Sequence, residues 1–227
     1  MPRRSFVRRS GFRDARLIVL ACEGANTERA YFEELVAALV PVPSRVHVEV
    51  LERGDSLSAP EQVLRSLDEF RRQYLRSRDD ELWAVIDYDR WGEMKLSKVA
   101  MLATHKRYHL AVSRPCFEFW LLLHHRDPAG LSPLEIAAIE GEGCSAVEVL
   151  LRSAAGSYSK HLSNAASYMP LVDIAVARAE SLDSNPDSRW PESPGSRVYT
   201  TVRSILKPPQ GSPNDQLQET HPSRAPP

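Results

Sequence analysis

Leu17-Ile18-Val19-Leu20-Ala21-Cys22-Glu23-Gly24-Ala25-Asn26-Thr27-Glu28 is the stretch that decides the fold. Leu17 to Ala21 is a continuous apolar run, the pattern of a parallel strand buried on both faces. It stops at a carboxylate, Glu23. Gly24-Ala25-Asn26 is a turn, and Thr27 opens a helix that runs to about Val40 and is stopped by Pro41 and Pro43. Asn26 or Thr27 is available as its cap. A carboxylate directly after a buried strand is costly unless something pairs it, so Glu23 reads as functional. Glu28 has an ordinary reading as a first-turn acid that favours the helix dipole, and a functional one beside it.

Outward from this turn the same grammar repeats. Val46 to Leu51 alternates and reads as a second strand, and Arg53-Gly54-Asp55-Ser56 as a polar loop. Ser58 with Glu61 three residues on, and Pro60 between them, predicts a capping box for a helix striped by Val63, Leu67, Phe70 and Tyr74. Leu82 to Ile86 is a third strand and ends in Asp87-Tyr88-Asp89. A helix from about Glu93 to His105 follows the Gly92 turn. Tyr108 to Val112 makes a fourth strand, and Ser113 with Pro115 predicts the cap and first turn of another helix. This alternation implies an α/β fold with a mostly parallel four-stranded sheet flanked by helices.

Beyond residue 126 the strand signal stops and the chain becomes a helical C-terminal half. Ser132-Pro133-Leu134-Glu135 is a second capping box, and helices are expected near 145 to 153, 170 to 182 and 197 to 207. The organisation predicted is a basic flexible arm (1–16), a catalytic core (17–126), a helical extension packed on that core (127–207) and a disordered Pro-rich tail (208–227).

Composition narrows the class. The net charge is -1, yet Arg3, Arg4, Arg8, Arg9, Arg13 and Arg16 crowd the arm, which suits phosphate backbones or a solvated tail. Cys22, Cys116 and Cys144 show no CxxC spacing, so neither a disulfide framework nor a structural zinc site is expected and a reducing cytoplasm fits. No apolar run approaches the roughly 20 residues that span a bilayer. The expectation is a soluble cytoplasmic protein with no membrane partner, and a homo-oligomer is left open.

The acids carry the chemistry. In an open α/β sheet ligands gather at the carboxyl ends of the strands, and clustered carboxylates repel unless a hard cation such as Mg²⁺ neutralises them. Asp87 and Asp89 point the same way along an extended segment and can share such an ion. A DxD alone is common in loops; paired with Glu23 it gains weight. Glu118 lies inside the apolar stretch Phe117-Glu118-Phe119-Trp120-Leu121-Leu122-Leu123-His124, either on an exposed stripe, as an i,i+4 ion pair with Arg114, or as a fourth acid facing the cluster. Adjacent His124 and His125 face different sides of a helix without a matching ligand spacing and read as structural or solvated. Lys160 reads as a surface lysine or a phosphate contact.

Taken together, Cys22-Glu23-Gly24 with Thr27-Glu28, Asp87-Tyr88-Asp89, and Ser113-Arg114-Pro115-Cys116-Phe117-Glu118-Phe119-Trp120-Leu121-Leu122-Leu123-His124 resemble the RloB-like proteins of the Toprim superfamily. The likeness runs from about residue 16 to 207 and includes Tyr158-Ser159-Lys160 and Pro194-Gly195-Ser196-Arg197-Val198-Tyr199. It implies a Toprim-like core related to topoisomerases, primases and the nuclease half of OLD proteins. By that resemblance Asp87 and Asp89 would ligate Mg²⁺ or Mn²⁺, Glu23 would be ligand or general acid/base, and Glu28 could serve a second ion. The superfamily core has no fixed counterpart of Glu118. The implied biology is phage defence or abortive infection beside a partner ATPase.

The leading expectation is therefore a divalent-metal-dependent nuclease acting on DNA or RNA. Glu23, Asp87, Asp89 and Glu118 are its candidate catalytic acids; Arg8, Arg9, Arg13 and Lys160 would contact backbone phosphates. A non-catalytic metal- or partner-binding module of a defence complex is the alternative. A primase-like enzyme is a third reading, for which no GxxxxGK[ST] loop is present.

Overall fold

The structure, a computed structural model, describes residues 16–41, 46–51, 59–74 and 79–207. Arg8, Arg9 and Arg13, the loop 53–56, the Ser58 cap, Pro43 and the tail 208–227 lie outside the described residues.

Strand β1 (Arg16–Cys22) carries its apolar run through the middle of the molecule. Parallel ladders join it to β2 (Val46–Val50) on one side and β3 (Glu81–Asp87) on the other, and β3 pairs in parallel with β4 (His109–Arg114). A fifth strand, β5 (Gly195–Ser196), pairs antiparallel with Ser113 and Arg114, giving the order β2-β1-β3-β4-β5. The expected four-stranded sheet thus has five strands. Two residues are too short for an alternation to register, and their pairing depends on a chain segment some 80 residues away, with Ser113 Oγ and Ser196 Oγ 2.7 Å apart.

Because alternate strand residues point to opposite faces, β1 feeds two cores. Ile18 and Leu20 join Trp83 and Val85 of β3 on one face, under α1 (Thr27–Leu39) and α4 (Phe117–His125). Leu17, Val19 and Ala21 join Leu82, Ala84 and Ile86 on the other, under α2 (Pro60–Gln73) and α3 (Glu93–Lys106). The doubly covered parallel sheet follows from those near-continuous apolar runs.

The C-terminal half is helical, with α5 (Pro133–Glu142), α6 (Cys144–Ala155), a 3-10 segment (Ala165–Leu171), α7 (Val172–Leu182) and α8 (Val198–Leu206). The Ser132 capping box forms in full, with Ser132 Oγ accepting from Glu135 N and Glu135 accepting from Ser132 N. Val147, Leu151, Tyr168, Val172 and Val202 share one apolar cluster with Phe117 and Trp120, so α4 is the spine on which the helical half rests. His124 is buried there: one ring nitrogen lies 3.1 Å from Tyr31 Oη and the other 3.0 Å from Trp120 O. It is a structural histidine.

Three local readings change. Ser113 belongs to β4 and not to a helix cap, because its ladder with Asp87 continues; the N-cap position of α4 is Cys116. Asn26 sits at the N-cap of α1 without a side-chain cap, and Glu28 Oε1 reaches back to accept from Gly24 N at 2.8 Å. Helix α2 starts at Pro60 with Ala59 as N-cap, and Glu61 pairs with Lys95 at 3.5 Å.

Candidate active site

Adjacent strands β1, β3 and β4 end on the same edge of the sheet, and each is followed by an acid. Glu23 stands one residue past β1, Glu28 in the first turn of α1, Asp87 at the end of β3, Asp89 two residues on, and Glu118 in the first turn of α4. Parallel topology alone brings these five together.

Each carboxylate is held by donors from a neighbouring turn. Glu23 is only 1% exposed; its Oε2 accepts from Asp87 N at 3.1 Å and its Oε1 from Trp91 Nε1 at 2.9 Å, with Arg90 Nη1 3.6 Å away. Asp87 Oδ1 accepts from Phe117 N, 2.8 Å away, at the N-terminus of α4. Asp89 Oδ2 accepts from Cys144 N, 3.3 Å away, at the N-terminus of α6. Glu118 Oε1 accepts from Tyr158 Oη at 2.6 Å. Such N–H groups at helix starts favour negative charge.

Two glycines make room for this packing. A Cβ on Gly24 would lie 1.9 Å from Glu28 Oε2, so only glycine lets that carboxylate fold back over the turn. Gly143 has φ of +62°, and a Cβ there would stand 3.1 Å from Asp89 Oδ2. It allows α6 to present its first N–H to Asp89.

Burial dominates the electrostatics. It pushes Glu23 above the usual carboxylate range, and Glu28 up to about 7 with the charges of Glu118 and Glu23 adding to the rise. Asp87 is raised well above its ordinary value by burial first and then by Glu28, Glu23, Glu118 and Asp89. Burial also raises Asp89. Arg90 acts on both Glu23 and Asp89 as an opposing positive charge. A group of carboxylates that resists ionising together is one that a hard divalent cation would satisfy.

Glu118 does not pair with Arg114. That guanidinium lies over the Tyr88 ring, 4.5 Å from its centroid, and donates to Glu192 O at 2.6 Å. Glu118 instead bears on Asp87 and Glu28 as a fellow acid. Lys160 is not brought to the acids: its ammonium lies 3.4 Å from Glu148 on a side chain 72% exposed, while its main-chain carbonyl accepts from Thr27 Oγ1 at 2.8 Å.

Sequence reasoning passed over Arg90 and Trp91, which directly follow the DxD, and Tyr158, which lies beside Lys160 in the quoted motif. It also expected no disulfide. Cys116 and Cys144 are bonded, with Cα atoms 5.7 Å apart, because the turns that start α4 and α6 meet at the site. Cys144 Sγ lies 3.3 Å from Glu118 Oε2. The donor atoms of Cys116, Cys144 and Glu118 fall within 4.8 Å of one another, but sulfurs bonded to each other are not thiolate ligands.

Among the described residues no helix is long and apolar enough to cross a membrane. No curated protein and no solved structure matches the chain. The family model described as RloB-like protein matches residues 18–205, a span from β1 to α8 that contains all five acids. The chain belongs to the RloB-like protein family.

Proposed function

We propose that this chain is a divalent-metal-dependent phosphodiester hydrolase of DNA or RNA, with a Toprim-like core, acting in phage defence beside a partner ATPase. The observation that carries the reading is the convergence of Glu23, Glu28, Asp87, Asp89 and Glu118 at three neighbouring strand ends, where Glu23, Glu28 and Glu118 are buried and the carboxyls of Glu23, Glu28, Asp87 and Asp89 are raised in pKa. Buried acids without an equal number of cations are costly in a resting fold and useful at a metal site.

Asp87, Asp89 and Glu23 would hold Mg²⁺ or Mn²⁺, and Glu28 could reach a second ion. A bound divalent cation supplies Lewis-acid stabilisation of charge on the attacking and leaving oxygens of a phosphodiester. Trp91 Nε1 and Asp87 N fix the Glu23 carboxylate in place. Tyr158 Oη does the same for Glu118, whose charge keeps the neighbouring carboxyls prone to hold a proton. The guanidinium of Arg90, on a side chain 57% exposed, stands at the rim where a substrate phosphate would approach.

The test is cleavage of plasmid DNA and tRNA by the purified chain, alone and with its neighbouring ATPase, in Mg²⁺ or Mn²⁺. Glu23→Gln and Asp87→Asn should abolish cutting, and cutting that survives either change sinks the assignment. Metal binding by calorimetry without hydrolysis under any of these conditions would make the chain a binding module instead.

A further inference from the structure

The Cys116–Cys144 bond joins two turns that each hold one aspartate of the DxD. Cys116 is the N-cap residue of α4, and the next residue, Phe117, donates its N–H to Asp87 Oδ1 at 2.8 Å. Cys144 is the first residue of α6, and its own N–H donates to Asp89 Oδ2 at 3.3 Å. A single covalent link therefore spans the two helix starts whose N–H groups hold Asp87 and Asp89. The second sulfur also lies 3.3 Å from the Glu118 carboxylate.

Exposure of the two cysteines is unequal. Cys116 is 1% exposed, whereas Cys144 is partly exposed at the start of α6. Cys22, the third cysteine, is buried and free at the end of β1. Attack from solvent on the bond is thus directed to the sulfur of Cys144.

We propose that Cys116 and Cys144 form a redox-modification site that takes dithiol reductants and sets the grip of α4 and α6 on Asp87 and Asp89. A reductant thiolate attacks Cys144 Sγ, the S–S bond breaks, and its electron pair leaves with Cys116 Sγ, which takes up a proton. The second thiol of the reductant then displaces Cys144 as a thiol and closes the reductant's own disulfide. Two electrons pass from the dithiol to the protein, and no other reactant is needed. With the link gone, the first turn of α6 loses its covalent tie to α4 while Val147 and Leu151 keep the body of the helix packed on it, and the Cys144 N–H is the donor most exposed to loss, since that first turn carries it. The bearing on metal affinity rests on the metal-site reading above; the pairing and its effect on the two N–H groups do not.

The experiment uses the full chain purified without reductant. In denaturant, one thiol of three should react with a maleimide before reduction and all three after it. Three reactive thiols before reduction, even after exposure to oxidised glutathione, would overturn the pairing. Amide exchange at Phe117 and Cys144, read by NMR, should quicken about five- to tenfold on reduction, the loss of about one hydrogen bond. Mn²⁺ affinity, read by calorimetry, should change by a similar factor. Cys144→Ser and Cys144→Ala should match the reduced protein with or without reductant. Unchanged exchange on reduction overturns the proposal whether or not metal binds. Absence of Mn²⁺ binding in both redox forms, with exchange still responsive, overturns the metal-site reading and leaves the redox site standing.

Discussion

Among the described residues, the charges around Arg197 and those around Asp87 are clustered on opposite plans. Around Arg197 the charges balance: the guanidinium meets both oxygens of Asp183 at 3.0 Å and also donates to Asn185 O and Ser188, while Tyr199 Oη donates to the same Asp183. Around Asp87 they do not: five acids converge and Arg90 is the cation at their rim. The first cluster closes the loop between α7 and α8 and uses up its hydrogen-bonding capacity. The second leaves charge in excess at a strand edge. Balanced burial fixes structure, and unbalanced burial keeps a site ready for a ligand of opposite sign.

The comparison breaks most easily at the balanced end. Arg197→Ala strands a buried Asp183 and should cost about 3–5 kcal/mol in chemical denaturation; a loss under about 1 kcal/mol would show that the balance is ornamental. Asp87→Asn should act in the opposite direction. It removes one of the repelling charges while keeping an acceptor for Phe117 N, so the metal-free protein should gain on the order of 1–2 kcal/mol at pH 8 while cleavage is lost.

A pH series sharpens the same contrast. Glu28 rises from 4.5 to about 7 on folding, so between those values the folded chain holds a proton that the unfolded chain has released. Stability in EDTA should therefore fall as pH rises through that window, and Mg²⁺ should offset the fall. His124 works the other way: burial lowers it from 6.5 to about 3, and its contribution is lost as pH drops below 6.5. Thermal melts of Glu28→Gln should show a flatter decline between pH 5 and about 7 than the parent chain. The smallest effect is expected at Trp91→Phe, which removes the indole N–H from Glu23 Oε1 and should cost about 1 kcal/mol. Its melting curve should recover part of that in Mg²⁺.

The unbalanced cluster was largely legible in the sequence, and the balanced one was not. Leu17 to Glu23 and Leu82 to Asp89 announce themselves locally, as apolar runs that stop at acids, and parallel topology then places the acids side by side. The capping box at Ser132 and the structural role of His124 were equally local. Arg197 and Asp183 lie 14 residues apart across an irregular loop, where no periodicity marks them as partners. Cys116 with Cys144, Glu118 with Tyr158 and the two-residue strand β5 share that character. Each depends on where the helical half settles against α4, and spacing along the chain carries no record of that. Ser113 misled for a related reason: serine followed by proline two residues on looks like a helix cap, yet the strand ladder outlasts the local preference.

Strand β1 is hydrogen-bonded on both sides, and its alternate residues serve two separate cores. Its register is thus locked twice over. Deleting a single residue between Ile18 and Ala21 would exchange the contents of the two cores and turn every following side chain over, so that Glu23 would leave the edge where Asp87 waits for it. The chain tolerates a change of side chain in this strand far better than a change of length, and an insertion or deletion scan should find β1 the least permissive segment of the sheet.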